Sequence, residues 1–423
     1  MQKTIDDFIN SEYREYAEYV AFKRALPSLI DSFKSARRKI FYYMLKNKNK
    51  DFIRVSSIAG GIAENCHYKH AEVSAQNTVI NMMRDFPSSN NIPFFLSKGG
   101  VGSKIMPKAA SAARYIQAKY NPMMDYIYLD NDLTIPDIDI ENPEPTFYYP
   151  IIPMFLVNGI SGIGIGFACN ILPRKPIDII NAIRNYLFGQ QIENIIPYYN
   201  NCKYVIKQTG DKSYQISGVI DYKKSAIVET IPHLNRDTII SKLIDLKAEG
   251  QIKSFSDESK EDWFIKIKNN GCDLFDKLPL STSITENYTL LDHQNKIKAF
   301  KDIQSMISEF VDYRLTVYTK RKQKRAEELL NNIEKNQLMI KLSKYIKSLN
   351  KVDSQSIIEK FSGEYDVAQI KETLNKPLST FFKANVDKLN NEIDDFKKQI
   401  KYYNNVSEKE LYIKDLKELE NRL

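Results

Sequence analysis

The spacing of hydrophobic positions changes along the chain and divides it into helical and strand-rich parts. In the first 48 residues apolar side chains recur at helical spacing, stop at Pro27 and resume in an amphipathic stretch over 31–44. Short helices separated by Gly-rich turns are predicted between about 50 and 140. From about 147 to 270 β-branched residues alternate with turn residues, which predicts strands over 204–208, 214–220 and 226–232.

The C-terminal part has the pattern of long, charged helices. From about 299 to 348 the chain is almost free of Gly and Pro, and its apolar residues keep helical spacing. A second helical stretch has the heptad spacing of a coiled coil, with apolar steps of four and three at Phe382, Val386, Leu389, Ile393, Phe396, Ile400 and Tyr403. The helical pattern then continues through Leu411, Leu416, Leu419 and Leu423. Because Gly363 and Pro377 lie between the two stretches, we expect an antiparallel coiled-coil arm with a small head at about 348–380.

Composition and charge exclude several classes of protein. A length of 423 residues predicts about two to four domains, and 43% hydrophobic with 27% charged residues is typical of globular chains. No apolar run approaches a membrane helix and no signal peptide precedes the first helix, so a soluble, cytoplasmic protein is expected. The four cysteines form no Cys-x-x-Cys pair, which argues against disulfides or a zinc ribbon. The net charge of +8 permits nucleic-acid binding without requiring it.

Three segments have some features of a metal or phosphate site. Cys66, His67 and His70 have the spacing of metal ligands, but a lysine separates the histidines and no fourth ligand is near. A second segment is acidic and could hold Mg²⁺ or be a solvated or ion-paired loop: Asp130, Asp132, Asp137, Asp139 and Glu141. The glycine loop 99–103 could cradle a phosphate, although a tight turn is the simpler interpretation.

The pair Arg114-Tyr115 is a candidate for nucleophilic chemistry. It follows a run of small residues, which allows another backbone to approach closely. A phenol has a pKa near 10, so it needs neighbouring cations to act as a nucleophile. Arg114 supplies such a cation and can also hold a phosphate with two hydrogen bonds. The alternative is a tyrosine buried for structural reasons.

Five short motifs follow one another along the chain, at 24–39, 68–75, 99–103, 112–115 and 153–166. They read R-A-L-P with D-x-x-K-x-x-x-R-K, then Y-K-H-A-E-x-S-A, G-G-V-G-S, A-A-R-Y and P-M-F-L-V-N-G-I-S-G-I-G-I-G. Together with the long C-terminal helices, they cover nearly the whole chain. Their types and their order resemble those of the DNA gyrase A subunit family, the breakage-reunion subunits of type IIA topoisomerases.

This resemblance implies an α+β multidomain fold. Its parts would be an N-terminal helical arm (1–30), a winged-helix (CAP-like) DNA-gate domain with the catalytic tyrosine (31–142) and an α/β tower domain (143–295). A long antiparallel coiled coil with a C-gate dimerisation head would follow (296–423).

The resemblance also implies roles for individual side chains. Tyr115 would attack a DNA phosphodiester to form a transient 5′-phosphotyrosyl bond, with Arg114 and His70 as the other catalytic residues. Ile163 would be an apolar wedge between base steps. Further DNA contacts would come from Arg24, Lys34, Arg38, Lys39, Lys69 and Ser103, where Lys69 stands in place of a family histidine.

The resemblance further implies partners and cofactors. The chain would be part of an ATP-dependent type II topoisomerase, an isomerase that relaxes or decatenates double-stranded DNA. It would form a homodimer and need a separate large subunit, whose ATPase and Toprim regions would bind ATP and Mg²⁺, with no metal on this chain. Within the family the T-even phage medium subunit is expected to be nearest, which would place the protein in the host cytoplasm. A truncated cellular gyrase A or topoisomerase IV protein is one alternative, and a non-catalytic DNA-binding coiled-coil scaffold is another.

Overall fold

The computed structural model describes residues 4–137, 142–348, 353–375, 377, 381 and 386–423. The chain divides into two compact units, Met1–Arg314 with Ile413–Leu423, and Leu315–Tyr412. Helices and antiparallel sheets both occur in the first unit, which confirms the α+β class. No helix of the described ranges is both long and apolar enough to cross a membrane.

The N-terminal segment is helical but irregular. Four short segments follow one another without a break, alternating α and π geometry: Ile5–Phe8 (α1), Ile9–Tyr13, Arg14–Tyr19 (α2) and Val20–Ala25. The predicted amphipathic stretch 31–44 becomes helical only at Ser35. The reason is that Ser32 has φ +67°, a left-handed conformation that cannot belong to a right-handed helix.

Three helices and a small sheet form the next part of the first unit. The helices are α3 (Ser35–Lys46), α4 (Val55–Asn65) and α5 (Glu72–Met83). The antiparallel sheet has the order β1-β3-β2, with strands Ile53–Arg54, Gln117–Tyr120 and Phe95–Lys98. Five aromatic rings pack together beneath α3, with neighbouring centroids 4.7 to 6.4 Å apart: Phe33, Phe41, Phe94, Tyr128 and Tyr148. This cluster fixes the position of α3.

A hairpin of the same unit follows the short helices α6 (Met123–Ile127) and α7 (Met154–Val157). Its strands are β4 (Ile160–Ile163) and β5 (Ala168–Ile171), and Ile163 faces Ala168 at the end of the ladder. Helix α8 (Pro176–Leu187) follows, with proline in its first turn.

The middle of the chain contains the predicted strands. One antiparallel sheet has the order β10-β11-β9-β8 and a second has the order β12-β7-β6. Their strands are β6 (Val205–Gly210), β7 (Ser213–Ser217), β8 (Val219–Asp221), β9 (Ala226–Glu229), β10 (Ile252–Asp257), β11 (Ile265–Asn269) and β12 (Ser281–Thr285). The first sheet packs with α9 (Arg236–Ala248) around the single tryptophan, Trp263, and α10 (Leu274–Lys277) lies beside it. Strands β13 (Thr289–Leu291) and β14 (Ile297–Ala299) form a two-stranded sheet.

The second unit is helical. Helix α11 (Ile303–Lys347) has 45 residues and enters this unit at Leu315. Apolar residues of the predicted heptad seam on the helix Val386–Asn405 pack against Ile333 and Ile340 of α11: Val386, Leu389, Ile393, Phe396 and Ile400. The two α11 residues are seven apart, as heptad packing requires.

The predicted head region contains α12 (Ser354–Phe361) and α13 (Val367–Leu374), capped by Asp353 and Asp366. Phe382 and parts of the predicted head (349–352, 376 and 378–380) lie outside the described residues. The last helix spans Glu408–Glu420, so the predicted helical position Leu423 lies beyond its end. The coiled-coil arm, the C-gate and the finer domain boundaries stay predictions.

Candidate functional site

Tyr115 lies in an exposed turn directly before strand β3. Its backbone N–H donates to the carbonyl of Ala112 at 2.8 Å, which closes the turn. The next residue, Ile116, is fully buried, and its carbonyl accepts from the N–H of Val55 at the start of α4 at 2.9 Å. The Tyr115 side chain itself is 66% exposed. The alternative of a tyrosine buried for structural reasons is therefore wrong.

The glycine loop supports this turn through backbone contacts. Gly99 has φ +102°, and a Cβ there would lie 2.9 Å from the carbonyl oxygen of Tyr115. The N–H of Ser111 donates to the carbonyl of Gly100 at 2.8 Å. The hydroxyl of Ser103 accepts from the N–H of Met106 at 3.2 Å, which places Ser103 in a turn of the loop. This geometry supports the interpretation of 99–103 as a tight turn whose glycines allow the tyrosine turn to approach.

Arg114 is positioned against the nucleophile candidate. Its guanidinium carbon lies 4.8 Å from the centroid of the Tyr115 ring, within the range of a cation–π contact. Both side chains are exposed. An anion that approaches the phenol would therefore meet a guanidinium at the same place.

A basic cavity of about 660 Å³ lies elsewhere in the first unit. Among the described residues that line it there is no Asp or Glu, and its cations are Lys23, Arg24, Lys34, Arg37, Lys39 and Lys69. His70 also lines this cavity, whereas Tyr115 and Arg114 do not. The structure thus brings most of the predicted DNA-binding residues together, and it places the candidate nucleophile outside their cavity.

His70 is held beside a cation. Its Nδ1 lies 3.4 Å from a terminal nitrogen of Arg24, and its ring meets that of Tyr68 edge-on at 5.3 Å. Burial, and secondarily the charge of Arg24, lowers the pKa of His70. The imidazole is consequently neutral at pH 7, so it can accept a proton or donate a hydrogen bond.

Lys34 connects the cavity to the hairpin. Its Nζ donates to the carbonyl of Ser161 at 2.8 Å, and a Cβ on Gly162 would lie 1.9 Å from the carbonyl oxygen of Ala25. The hairpin is therefore pressed against the end of the N-terminal helical segment. Burial, with a smaller contribution from the charge of Arg37, lowers the pKa of Lys34 to about 8. At the end of this hairpin Ile163 is 88% exposed, as a wedge requires.

Arg38 and Lys39 both have charged or polar protein partners, and Lys39 also lines the basic cavity. Arg38 donates to the two carboxylate oxygens of the fully buried Asp31 at 2.7 and 3.0 Å. Lys39 Nζ lies 2.7 Å from the Glu144 carboxylate and donates to the carbonyl of Cys66 at 2.8 Å. Both cations were predicted to hold DNA phosphates. In the structure each of them forms an ion pair with a buried carboxylate.

Arg37 is the side chain that the motif comparison missed. It lines the basic cavity, and it also lines a neighbouring cavity of about 670 Å³. One signal was available in the sequence: Arg37 follows Lys34 by three residues, a spacing that brings two side chains together at the start of a helix.

Within the described residues of the candidate metal segments, Cys66 and Asp130 are poor or unavailable ligands. Burial, and secondarily the charge of Glu144, raises the pKa of the Cys66 thiol to about 11, which keeps it protonated and a poor ligand. Asp130 is buried in an ion pair with Arg314, while Asp139 and Glu141 lie outside the described residues. Within the ranges described, no three His, Cys, Asp or Glu side chains come together as a metal site.

Comparison with known proteins places these features in a family. The family model of the A subunit of DNA gyrase/topoisomerase IV matches residues 24–418. The DNA topoisomerase 2 of Invertebrate iridescent virus 6 is 28% identical, over 99% of this chain and 39% of its own length. The mitochondrial DNA topoisomerase 2 of Dictyostelium discoideum is 30% identical, over 99% of this chain and 35% of its own length. The chain thus spans less than half the length of these relatives.

A solved structure of a type II topoisomerase domain has a similar fold. The crystal structure of the Plasmodium falciparum topoisomerase II DNA-binding, cleavage and re-ligation domain superposes with a TM-score of 0.88 at 25% identity. The match covers 98% of this chain and 64% of that one. Because the family model matches most of the chain, this protein belongs to the family of DNA gyrase/topoisomerase IV A subunits.

Proposed function

We propose that this chain is the DNA-cleaving and rejoining part of an ATP-dependent type II topoisomerase. The phenol oxygen of Tyr115 attacks a backbone phosphorus in line, the P–O3′ bond breaks, and the 3′-oxygen leaves with a proton. The strand is then held as a 5′-phosphotyrosyl ester, and attack by the 3′-hydroxyl restores the DNA and frees the phenol. The observation that carries this proposal is the exposed Tyr115 beneath the Arg114 guanidinium, within a motif of the matched family.

Several side chains have separate roles in the proposed cleavage reaction. Arg114 stabilises the negative charge that develops on the phosphate as phosphorus becomes five-coordinate. His70, neutral beside Arg24, donates a hydrogen bond or relays a proton at the backbone. Ile163 enters the base stack and kinks the duplex, and the Lys34–Ser161 hydrogen bond holds the hairpin in place. The basic cavity supplies the sequence-independent attraction for phosphates.

The cofactors belong to another polypeptide or region in this proposal. Among the described residues, no three His, Cys, Asp or Glu side chains come together as a metal site. We place both Mg²⁺ and ATP on a large subunit with ATPase and Toprim regions. The pairing of two chains into a homodimer follows from the need to cut two strands with one tyrosine each. A cytoplasmic location and kinship with the T-even phage enzyme stay predictions.

A non-catalytic DNA-binding scaffold is the weaker candidate. Such a scaffold would use the basic cavity and the long helices, but it would not explain why the Arg114-Tyr115 pair is exposed on a hydrogen-bonded turn. The relatives are themselves named topoisomerases, which favours the catalytic proposal.

The test is a comparison of two tyrosine variants in the assembled enzyme. The chain is mixed with its large subunit, supercoiled DNA, Mg²⁺ and ATP, and relaxation and covalent DNA–protein complexes are measured. Tyr115→Phe is expected to lose both signals because it lacks the attacking oxygen. Tyr222→Phe is the matched control, since Tyr222 is 77% exposed and lies in the middle segment. Undiminished relaxation by Tyr115→Phe, or phosphate on another tyrosine, would contradict the proposal.

A further inference from the structure

Arg37 differs from the other cations at the start of α3 in having no partner among the residues that the structure describes. Arg38 and Lys39 bind buried carboxylates, and Lys34 donates to a backbone carbonyl. Within the same described ranges, the guanidinium of Arg37 meets no hydrogen-bond acceptor, carboxylate or aromatic ring as a partner. It is nevertheless partly buried, so it has lost part of its hydration. A desolvated guanidinium with no acceptor is unfavourable unless a ligand supplies one.

Lys34 is a second cation close to Arg37, and two neighbouring positive charges favour the binding of an anion. The charge of Arg37 acts on Lys34, and burial lowers the pKa of both groups. The other ionisable group that acts on Arg37 is the phenol of Tyr128, which is neutral at pH 7. Two neighbouring cations in a cavity whose described lining has no carboxylate form a positive centre. Phosphate is the anion that a guanidinium binds best with two hydrogen bonds.

The position of Arg37 indicates where along the DNA backbone the bound phosphate would lie. Arg37 and Asn81 line both the basic cavity and the neighbouring one, so they stand where the two cavities meet. Ser161 also lines the second cavity, and it precedes the exposed Ile163 by two residues on the same strand. A duplex backbone lying along both cavities would therefore pass Arg37 close to the hairpin.

We propose that Arg37 binds a backbone phosphate of double-stranded DNA beside the base step at which Ile163 inserts. This inference rests on the proposed function and adds a contact to it. The residue occupies an unspecified position of the opening motif, between Lys34 and Arg38, so the motif does not predict it. The contact holds the strand on one side of the kink, while Lys34 holds the hairpin that makes the kink.

The experiment measures DNA binding by the full chain over a range of salt concentrations. Fluorescence anisotropy with a labelled duplex is recorded for the wild type and for Arg37→Gln, Arg37→Lys and Lys347→Gln. Arg37→Gln is expected to bind about tenfold more weakly and to reduce the slope of log K against log salt by about 0.9, the value for one lost phosphate contact. Arg37→Lys should keep the slope because it keeps the charge. Lys347→Gln removes the same charge from an exposed site at the end of α11 and should match the wild type.

Thermal melting separates a ligand contact from a structural role. Because Arg37 has no partner within the described residues, Arg37→Gln should melt at the same temperature as the wild type or higher. A lower melting temperature, or a salt slope equal to that of the wild type, would overturn the inference. Covalent complex formation with the large subunit is measured on the same preparations. A wild type without a covalent complex overturns the proposed function, whereas a complex formed alongside an unchanged Arg37→Gln slope overturns only the phosphate contact.

Discussion

Two pairs of cations at the start of helix α3 use the same kind of side chain for opposite purposes. Arg38 and Lys39 form ion pairs with the buried carboxylates of Asp31 and Glu144. Lys34 and Arg37 form no such pair, and the cavity that they line together with Lys39 has no carboxylate in its described lining. The difference teaches that the number of cations in a motif does not measure its affinity for DNA. What counts is whether each cation already has a counter-charge.

The largest effect is expected from breaking one of the two ion pairs. Arg38→Gln leaves the fully buried carboxylate of Asp31 without its cation, and losing one partner of a buried ion pair destabilises a protein by about 3–5 kcal/mol. We expect a corresponding drop in the free energy of unfolding, measured by urea titration. Arg37→Gln is the matched control, with an expected change near zero. Equal stability of the two variants would remove the distinction between the two pairs of cations.

A smaller effect is expected at the hairpin, to which Lys34 donates a hydrogen bond. A Cβ on Gly162 would lie 1.9 Å from the carbonyl oxygen of Ala25, so Gly162→Ala must displace the hairpin, which costs about 1–3 kcal/mol. DNA bending, measured by energy transfer between dyes at the duplex ends, should also fall because Ile163 moves. The control is Gly60→Ala, since a Cβ there meets nothing within 4 Å and alanine favours the α4 helix. Normal bending by Gly162→Ala would show that the hairpin position does not matter.

The smallest effect is a pH dependence that belongs to Lys34. Its pKa of about 8 in the folded chain lies below the value of about 10.4 in an unfolded one, so between these values the unfolded chain binds more protons. The stability that Lys34 contributes therefore rises from about pH 8 to about pH 10.4 and is lost as the pH falls through 8. Comparison of wild type with Lys34→Met by urea unfolding at pH 7.5 and pH 10 should show a difference of about 1–2 kcal/mol. A difference that does not vary with pH would mean that Lys34 is fully hydrated.

The sequence predicted local structure best where a single periodicity dominates. The strands at 204–208 and 214–220 are found as β6, β7 and β8 because β-branched alternation suits a half-buried sheet. The heptad positions from Val386 to Ile400 pack against α11 because apolar residues at this spacing lie on one side of a helix. The predicted helix over 31–44 began too early because the left-handed Ser32 is set by contacts of the surrounding chain: its hydroxyl accepts from the N–H of Phe155 at 2.9 Å.

The candidate site was predicted in its residues but not in its geometry. Tyr115, Arg114, His70 and Ile163 were all named from motifs, and their catalytic and DNA-binding roles stay predictions. The motifs could not show that Tyr115 lies outside the cavity lined by His70, since a contact across the fold has no counterpart in local spacing. They likewise gave Arg37 no role, although it is the cation of this group that lacks a protein partner within the described residues.

By itself, the sequence determined the family, the order of helices and strands, and the identity of the candidate reactive side chains, because these depend on residue type and on spacing over a few positions. Only the tertiary structure decided which cations of the opening motif already have a counter-charge. Asp31 is seven residues from Arg38, and Glu144 is more than one hundred from Lys39, so their pairing depends on how the chain folds back on itself. The buried carboxylate of Asp31 pairs with Arg38 and not with its neighbour Arg37, which therefore stays available for the phosphate that we propose. Which arginine is paired depends on which groups the fold buries together, not on sequence order.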